Sequence, residues 1–299
     1  MLLCNSKMTF SEFPSTYQTV PDIVANASIS TLRHVGFSRM SAPRSEPDWT
    51  RFLARFRAGE DCAGEGWYAL FGQLQATPDG LMVVGQLGQS LDGRIATVTG
   101  HSKYINDEDG LVHLHRLRAL VDAVVVGAGT VVADNPKLTV RMVDGTHPTR
   151  VVIDPSGRVS ANAGLYQDDG VGRIVFTSSK NVQTYPEGVD VIRVEKDING
   201  RVAPEAILKA LHDRGLRRVL IEGGADTVTK FMLAGCLDRV HVILAPMVIG
   251  AGRPSFDLPP IQSLSDAIRM PMTMHRIGKE VVLDCDLSGR RLASRIEKV

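Results

Sequence analysis

Cysteine is scarce in this sequence of 299 residues, and none of the four cysteines has a close cysteine neighbour. Cys4, Cys62, Cys236 and Cys285 lie far apart, so there is no Cys-x-x-Cys pair. This spacing is not typical of a disulfide framework or of a structural zinc site. Widely spaced thiols are typical of proteins in a reducing compartment, and we therefore expect a cytoplasmic protein.

Long apolar runs and a strong charge of one sign are also missing. No apolar run approaches the roughly 20 residues that span a bilayer, and residues 1–5 are too short for the core of a signal peptide. The formal net charge of +1 argues against a nucleic-acid-binding protein that works through a basic field. The sequence therefore predicts neither a membrane nor a nucleic acid as partner, and any phosphate recognition has to be local.

Several catalytic signatures are absent as well. The sequence has no G-x-S-x-G nucleophile elbow, no Walker A loop, and no H-x-E with P-C-x-x-C of the kind found in zinc deaminases. His113 and His115 differ by about 200° around a helix, so they cannot share a metal. His101 lies in a separate loop. We therefore predict no metal site and see no evident side-chain nucleophile.

Apolar strands alternate with amphipathic helices over most of the chain. The pattern predicts an α/β fold with a mostly parallel sheet, helices on both faces and a C-terminal antiparallel hairpin at 272–286. Helices are predicted at 45–57, 107–120, 203–214 and 225–235, and strands at 82–87, 123–127, 149–154, 172–177, 189–194, 217–222 and 238–244, with a short strand near 67–71.

Three parts of the chain follow from this pattern. Residues 1–80 are predicted to be an extension of unknown role, 81–287 the main domain, and 288–299 a tail. Within the extension, Trp49, Phe52 and Phe56 share one helix face. We expect that face to pack against the main domain or against a partner subunit.

Two predicted strands end in glycine-rich turns, Gly127-Ala128-Gly129-Thr130 and Glu222-Gly223-Gly224. Glycines at such a point let a phosphate approach bare backbone N–H groups, and a following helix adds its positive end. Two such turns favour a nucleotide cofactor, although the first also fits a plain strand-to-loop turn. Phosphate turns without a nucleophile suit hydride transfer, in which a nicotinamide carries the chemistry.

Charged residues near these turns are candidates for ligand contacts. Asp134-Asn135-Pro136 predicts a turn, and an extended run from 138 to 141 would then bring Arg141 to the same edge of the sheet. Arg141 could bind a phosphate or form a surface ion pair. Glu222 could accept hydrogen bonds from a ligand, cap the following helix or act as the acid of a buried ion pair. Periodicity does not decide whether Arg116 or Arg118 leans toward that edge.

Several motifs occur in one order: Ser90-Leu91-Asp92-Gly93-Arg94, Gly100 to Ile105, Leu117-Arg118-Ala119, Gly129 to Arg141, Val152-Ile153-Asp154 and Ile221-Glu222-Gly223-Gly224. This series resembles the reductase domain of the bifunctional riboflavin-biosynthesis deaminase/reductase. The resemblance covers roughly 81–287 and implies a dihydrofolate-reductase-like fold. It also implies NADPH-dependent reduction of 5-amino-6-(5-phosphoribosylamino)uracil, or its diamino-pyrimidinone relative, in which the ribose becomes a ribitol chain.

The resemblance also implies site residues and a homodimer. Substrate contacts fall on Ser102, Arg118, Leu138, Arg141 and Glu222, with Arg118 and Arg141 on the phosphate, and Asp92 and Arg94 would orient substrate or nicotinamide. Cofactor contacts fall on Gly88, Tyr104, Thr130, Asp134, the region of Pro155, and Gly224, Ala225, Asp226 and Thr227, beside the turn glycines Gly127, Gly129 and Gly223. The apolar segments 240–244 and 246–250 could form a subunit interface or plain core.

Two departures keep alternatives open. Tyr104 stands where many members of the family have Trp, and residues 1–80 show no deaminase motif. A reductase of the same fold with another heterocyclic substrate, or a non-catalytic nucleotide-binding protein, therefore stays possible at this point. Segments 156–158 and 177–180 carry hydroxyl or cationic groups that could bind the 2′-phosphate of NADPH.

Overall fold

The computed structural model describes residues 46–178, 184–197, 200–293 and 295–296. The helices are α1 Glu46–Ala58, α2 Tyr68–Phe71, α3 Glu108–Leu120, α4 Ala128–Asp134, α5 Pro204–His212 and α6 Ala225–Leu233. The strands are β1 Met82–Ser90, β2 Arg94–Thr97, β3 Ala123–Gly127, β4 Thr149–Ile153, β5 Arg173–Thr177, β6 Val189–Arg193, β7 Arg218–Glu222, β8 Arg239–Ala245, β9 Gly252–Pro254, β10 Met272–Ile277 and β11 Glu280–Asp286.

A nine-stranded sheet organises the molecule, in the order β10-β11-β8-β1-β7-β3-β4-β5-β6. The seven strands from β8 to β6 pair in parallel. Only the hairpin of β10 and β11 runs antiparallel, and it joins the sheet through β8. The predicted fold class, a mostly parallel sheet with a C-terminal antiparallel hairpin, is confirmed.

Both faces of the sheet are covered, because alternate side chains of the central strands point to opposite sides. Val84 and Val124 belong to one core with residues of α1 and α3. Val83 and Val125 belong to a second core with residues of α5 and α6. Helices therefore lie on both faces, as the nearly continuous apolar strands predict.

The aromatic stripe of α1 packs into the first of these cores. Trp49 and Phe52 are fully buried, and their rings contact Phe71 of α2 at centroid distances of 5.9 and 6.4 Å. The Trp49 indole nitrogen donates to the carbonyl of Asp144 at 2.9 Å. The stripe thus covers the main sheet, which is one of the two positions expected for it.

Three local features differ from what the sequence pattern predicts. Residues 67–71 are not a strand, because Tyr68–Phe71 forms one helical turn that buries Leu70 and Phe71. The extended run predicted for 138–141 does not begin at Leu138, whose φ is 55°. The sequence also missed the small antiparallel pair of β2 and β9, which are only four and three residues long.

Three further observations complete the description of the fold. Asp107 caps α3, because its side chain accepts from the Asp109 amide. Strand β8 is internal core between β11 and β1, with Val240 and Ile243 buried. Within the described ranges, no helix combines the length and the apolar character needed to cross a bilayer.

Candidate active site

A cleft of about 1430 Å³ lies at the carboxyl ends of the central parallel strands. Its walls include the end of β1, the residues that follow β3, β4 and β7, and the loop before α3. In open parallel sheets, ligands bind at this edge, where successive strands send their connections to opposite faces. The cleft is therefore the candidate active site of the molecule.

Most of the sequence-predicted site residues come together in this cleft. Its lining contains Gly88, Ser102, Tyr104, Arg118, Gly127, Gly129, Thr130, Asp134, Leu138, Arg141, Pro155, Glu222, Gly223, Gly224, Ala225, Asp226 and Thr227. These residues come from segments up to 139 positions apart in the chain, so only the sheet topology brings them to one edge.

Asp92 and Arg94 do not line the cleft. The Asp92 carboxylate accepts from the Ser90 hydroxyl at 2.6 Å and from the backbone of Ile249 and Gly250. These bonds, first that of Ser90, lower the pKa of Asp92 to about 2. Arg94 donates to the Gly250 carbonyl at 3.0 Å. Both side chains thus hold the 249–250 loop, and this geometry gives no support to a role in orienting substrate.

Arg118 and Glu222 form a buried, bidentate ion pair across the cleft floor. Arg118 Nε donates to Glu222 Oε1 at 2.8 Å, and Nη2 donates to Oε2 at 2.7 Å. Nη1 donates to the carbonyl of Thr139 at 3.1 Å. The structure therefore resolves the choice between the two arginines of α3 in favour of Arg118, while Arg116 packs over the ring of Trp67. Because each charge compensates the other, the pair supplies hydrogen-bonding groups more than net charge.

The segment after α4 carries Arg141 to the cleft. The helix ends at Asn135, which is left-handed with φ 43° and accepts from the Gly164 amide at 2.7 Å. Farther on, the Arg141 amide donates to His115 Nδ1 at 3.1 Å. Burial, with help from Arg118 and Arg141, lowers the pKa of His115 to about 3, so this imidazole is a neutral acceptor. The Arg141 side chain is exposed at the rim.

The amino ends of α4 and α6 meet in the same wall. Both helices have a glycine at the cap, Gly127 and Gly224, and neither cap offers a side-chain hydrogen bond. The Thr130 hydroxyl accepts from the Gly224 amide at 3.2 Å and ties the two turns together. First-turn amides of a helix that no side chain caps can bind an anion.

A tight turn after β4 adds a cation to this wall. The buried carboxylate of Asp154 accepts from the amides of Arg158 and Val159 at 3.1 and 2.8 Å and so shapes the turn. Ser156 and Arg158, two of the residues that the sequence offers for a 2′-phosphate, line the cleft. Ser178 instead donates its hydroxyl to the Pro155 carbonyl. Residues 179 and 180 lie outside the described residues.

Sequence reasoning missed Asn106 and Glu280. Asn106 lines the cleft, and its amide nitrogen donates to Glu280 Oε1 at 2.8 Å. Glu280 is only 1% exposed, and burial raises the pKa of its carboxyl group. Neither residue belongs to the predicted site residues. No local pattern links it to a glutamate 174 positions away.

The cleft is locally basic although the whole chain is nearly neutral. Its lining has the basic residues Lys103, Arg118, Lys137, Arg141, Arg158, Arg201, Lys230 and Arg253, and the acidic residues Asp134, Glu222, Asp226 and Asp257. Its volume exceeds the roughly 300–1,000 Å³ typical of a pocket for one drug-sized ligand. An excess of cations, two helix ends and this size fit a phosphorylated dinucleotide beside a second anionic ligand.

The histidines of α3 serve the core and the cleft wall. His113 Nε2 lies 3.1 Å from Nδ1 of His241, and burial lowers the pKa of His113 well below its usual value. His115 holds the Arg141 backbone, as described above. In the part of the chain that the structure describes, no three His, Cys, Asp or Glu side chains are arranged to hold a metal ion.

Comparison with known families agrees with this geometry. The family model of the RibD C-terminal domain matches residues 82–283, which is more than half of the chain. The chain belongs to the RibD C-terminal domain family. The match covers all of the nine-stranded sheet except the last three residues of β11, and it includes the cleft-lining residues.

Named relatives fall into two groups. A 2,5-diamino-6-ribosylamino-4(3H)-pyrimidinone 5′-phosphate reductase of Methanothermobacter thermautotrophicus is 33% identical over 217 residues, which are 69% of this chain and 98% of that protein. The riboflavin biosynthesis protein RibD of Aquifex aeolicus is 33% identical over 65% of this chain, but the match spans only 54% of the relative. The chain therefore matches a whole reductase of the first kind and about half of a RibD protein.

A solved structure likewise matches this chain over about half of its own length. The deaminase/5-amino-6-(5-phosphoribosylamino)uracil reductase of Thermotoga maritima is 30% identical and superimposes with a TM-score of 0.60. The superposition covers 69% of this chain and 56% of that one. The RibD C-terminal fold is thus shared at the level of both sequence and structure.

Proposed function

We propose that this chain is an NADPH-dependent reductase that converts a phosphoribosylamino-pyrimidine to its ribitylamino product in riboflavin biosynthesis. The substrate would be 5-amino-6-(5-phosphoribosylamino)uracil or its 2,5-diamino-pyrimidinone relative. The observation that carries the proposal is the alignment with the Methanothermobacter thermautotrophicus reductase, which covers 98% of the length of that protein. The basic cleft at the edge of the sheet supports it.

The reaction needs positioning more than acid–base groups. NADPH would supply a hydride to C1′ of the ring-opened, imine form of the sugar, and a proton from water would complete the reduction. Holding C4 of the nicotinamide and C1′ of the sugar about 3–3.5 Å apart would itself be a large part of the catalysis. The cleft supports this, because it is wide enough for both ligands and its floor is fixed by the Arg118–Glu222 pair.

Residue roles follow from the charges around the cleft. Arg141 would bind the substrate phosphate, since it is exposed at the rim while Arg118 is already paired with Glu222. Ser102 and Glu222 would contact sugar or pyrimidine groups. The cofactor would lie along Gly88, Tyr104 and Thr130, with its diphosphate at the start of α6.

Recognition of NADPH rather than NADH would use the turn after β4. Arg158 and Ser156 provide a cation and a hydroxyl group at the cleft wall. Tyr104 is 78% exposed, so its ring is accessible for stacking on a bound base or nicotinamide.

We also propose a cytoplasmic homodimer. The three cysteines in the described part of the chain, Cys62, Cys236 and Cys285, are unpaired and buried, which suits a reducing compartment.

The segment after β8 is the candidate contact between the two subunits of the dimer, because Val248 is 70% exposed there. Light scattering coupled to size exclusion tests the dimer, and a monomer at micromolar concentration would contradict it.

The deciding experiment follows NADPH absorbance with two substrates in parallel, the deaminated uracil compound and the undeaminated pyrimidinone. We expect turnover of one of them, and its identity places the reductase after or before deamination. NADPH binding without turnover of either compound would indicate a reductase of the same fold that acts on another heterocyclic substrate. If NADPH does not bind at all, the proposed NADPH-dependent reductase function is overturned.

A further inference from the structure

Asn106 lies in the cleft wall between Tyr104 and the start of α3, and its side chain is held from behind. Its amide nitrogen donates to Oε1 of Glu280, the first residue of β11, at 2.8 Å. The backbone amide of Asp107 donates to the same oxygen at 3.3 Å. The buried Glu280 carboxylate does not line the cleft itself, but it contacts Asn106, which does.

Two glycines make this arrangement possible. A Cβ atom on Gly88 would overlap Oδ1 of Asn106, and one on Gly110 would come within 2.5 Å of Oε2 of Glu280. Both glycines line the cleft. The Asn106 amide therefore lies directly against the end of β1, where a larger residue would displace it.

The orientation of the amide follows from its partner. Because Oε1 of Glu280 accepts from the Asp107 backbone, the Asn106 group that faces it has to be the NH₂ group. The carbonyl oxygen Oδ1 is then turned toward Gly88. Among the described residues, no donor is hydrogen-bonded to Oδ1.

The second oxygen of Glu280, Oε2, is buried and has no hydrogen-bond partner within the described ranges. Oε1 therefore receives both N–H contacts of this carboxyl group, from the Asn106 side chain and from the Asp107 amide. The Asn106 carbonyl is left free to accept a hydrogen bond from a ligand in the cleft that Asn106 lines.

We propose that Asn106 recognises an N–H group of a bound ligand through Oδ1, and that Glu280 is a positioning residue that holds the amide in this orientation. The inference rests on the proposed reductase function, since that function supplies the donors. Two sources carry the required chemistry, the carboxamide of the nicotinamide and the amino or ring N–H groups of the pyrimidine.

The test measures NADPH affinity by fluorescence titration and the KM of the pyrimidine substrate separately, for the full chain and its variants. Asn106→Ala is expected to weaken one of the two by about 3- to 12-fold, as for loss of one ordinary hydrogen bond. A higher NADPH dissociation constant identifies the carboxamide as the donor, and a higher substrate KM identifies the pyrimidine. If both values match those of the wild type, the recognition role is overturned.

Variants of Glu280 test the positioning role. Glu280→Leu should shift the same constant as Asn106→Ala, whereas Glu280→Gln should restore most of the affinity because its carbonyl can replace Oε1. The double variant should cost no more than Asn106→Ala alone, since neighbours that act together are not additive. If the effects of the two substitutions on binding add fully, Glu280 does not act through Asn106. If Glu280→Leu lowers thermal stability but leaves the NADPH dissociation constant and the substrate KM unchanged, Glu280 has only a structural role.

The control is Glu108→Gln, an exposed change at the start of α3 that should leave both constants unchanged. Thermal unfolding of each variant separates folding defects from binding defects. Wild-type turnover with unaffected Asn106 variants overturns this inference alone. A wild type that neither binds NADPH nor turns over substrate instead overturns the proposed function.

Discussion

At the scale of single residues, the buried Arg118–Glu222 pair changes how the cleft can bind a phosphate. Three donor contacts of Arg118 are made within the protein, two of them to Glu222. A compensated charge attracts an anion less than an unpaired one. Binding of the substrate phosphate should therefore depend mainly on Arg141, whose backbone amide is held by His115.

Arg141→Ala is expected to raise the substrate KM by the equivalent of about 2–4 kcal/mol, as for the loss of one partner of a charge pair. NADPH affinity should stay close to that of the wild type, because the change removes only the substrate's phosphate ligand. Arg141→Lys should recover part of the loss, since it keeps the charge but not the planar fork. An unchanged KM in the alanine variant would exclude the phosphate assignment.

Asp92 gives a prediction for stability in acid. Its pKa in the folded protein is about 2, below the usual 3.8, so the stabilisation is present above about pH 4 and is lost as the pH falls toward 2. Asp92→Asn should therefore unfold at a lower temperature than the wild type near neutral pH, with a difference that shrinks between about pH 4 and 2. Calorimetry across this range measures it, and a constant difference would contradict it.

Residue identities in the site were only partly predictable from the sequence. The motif series gave Arg118, Arg141 and Glu222 as site residues, and all three line the cleft. Their pairing was not predictable, because Arg118 and Glu222 are 104 positions apart and meet only when α3 packs beside β7. Asn106 was missed for the same reason, since its partner lies on the last strand of the sheet.

At the scale of elements, the two turns at the cleft differ in what they tolerate. Gly223 has a φ of 110°, and a Cβ there would lie 2.5 Å from the Thr130 hydroxyl. Gly224 has an ordinary φ of −73°, and a Cβ there meets nothing within 4 Å. The first glycine is therefore needed by the fold, and the second leaves space that a ligand can use.

Gly223→Ala should lower the free energy of unfolding by about 1–3 kcal/mol through backbone strain. Gly224→Ala should fold with nearly wild-type stability but bind NADPH at least about tenfold more weakly, because its methyl group blocks the approach of a diphosphate to the α6 amides. Thermal unfolding and NADPH titration of the two variants provide the comparison. Wild-type NADPH affinity in Gly224→Ala would show that the diphosphate lies elsewhere.

Long elements were predictable and short ones were not. The predicted helix at 107–120 and the strand at 123–127 agree with α3 and β3 within a residue or two, because an amphipathic or continuous apolar pattern over many positions fixes the type. At 67–71 the aromatic run also fits a strand, but Tyr68–Phe71 forms a helical turn and Trp67 packs edge-on against Trp49. β9 contains both glycine and proline, so it gives no strand signal.

At the scale of the whole molecule, the buried aromatic residues of the described segment before position 81 belong to the first core. Phe52, Phe56 and Phe71 are at most 1% exposed and belong to the same cluster as Val84 and Leu220 of the sheet. The sequence pattern located the aromatic stripe but not its partner. The boundary predicted at residue 80 stays a prediction, and the packing of α1 and α2 against the sheet provides its test.

A fragment of residues 81–299 should fold poorly or not at all. Burying one Trp or Phe contributes about 1.5–3 kcal/mol, so losing the four aromatics at 49, 52, 56 and 71 approaches the total stability of about 5–15 kcal/mol. Truncation would also expose His113, which stacks on Phe71 at 5.2 Å, and Arg116, which lies 4.1 Å from the Trp67 ring.

The point variant Phe52→Ala in the full chain separates packing from the mere effect of truncation. It should lower the free energy of unfolding by about 3–5 kcal/mol, because the side chain is fully buried among rings that cannot close the cavity. Chemical denaturation gives this value directly. If 81–299 unfolds cooperatively at the full-chain temperature and Phe52→Ala costs less than about 1 kcal/mol, the sheet is stable without α1, and the predicted boundary at residue 80 separates two independent parts.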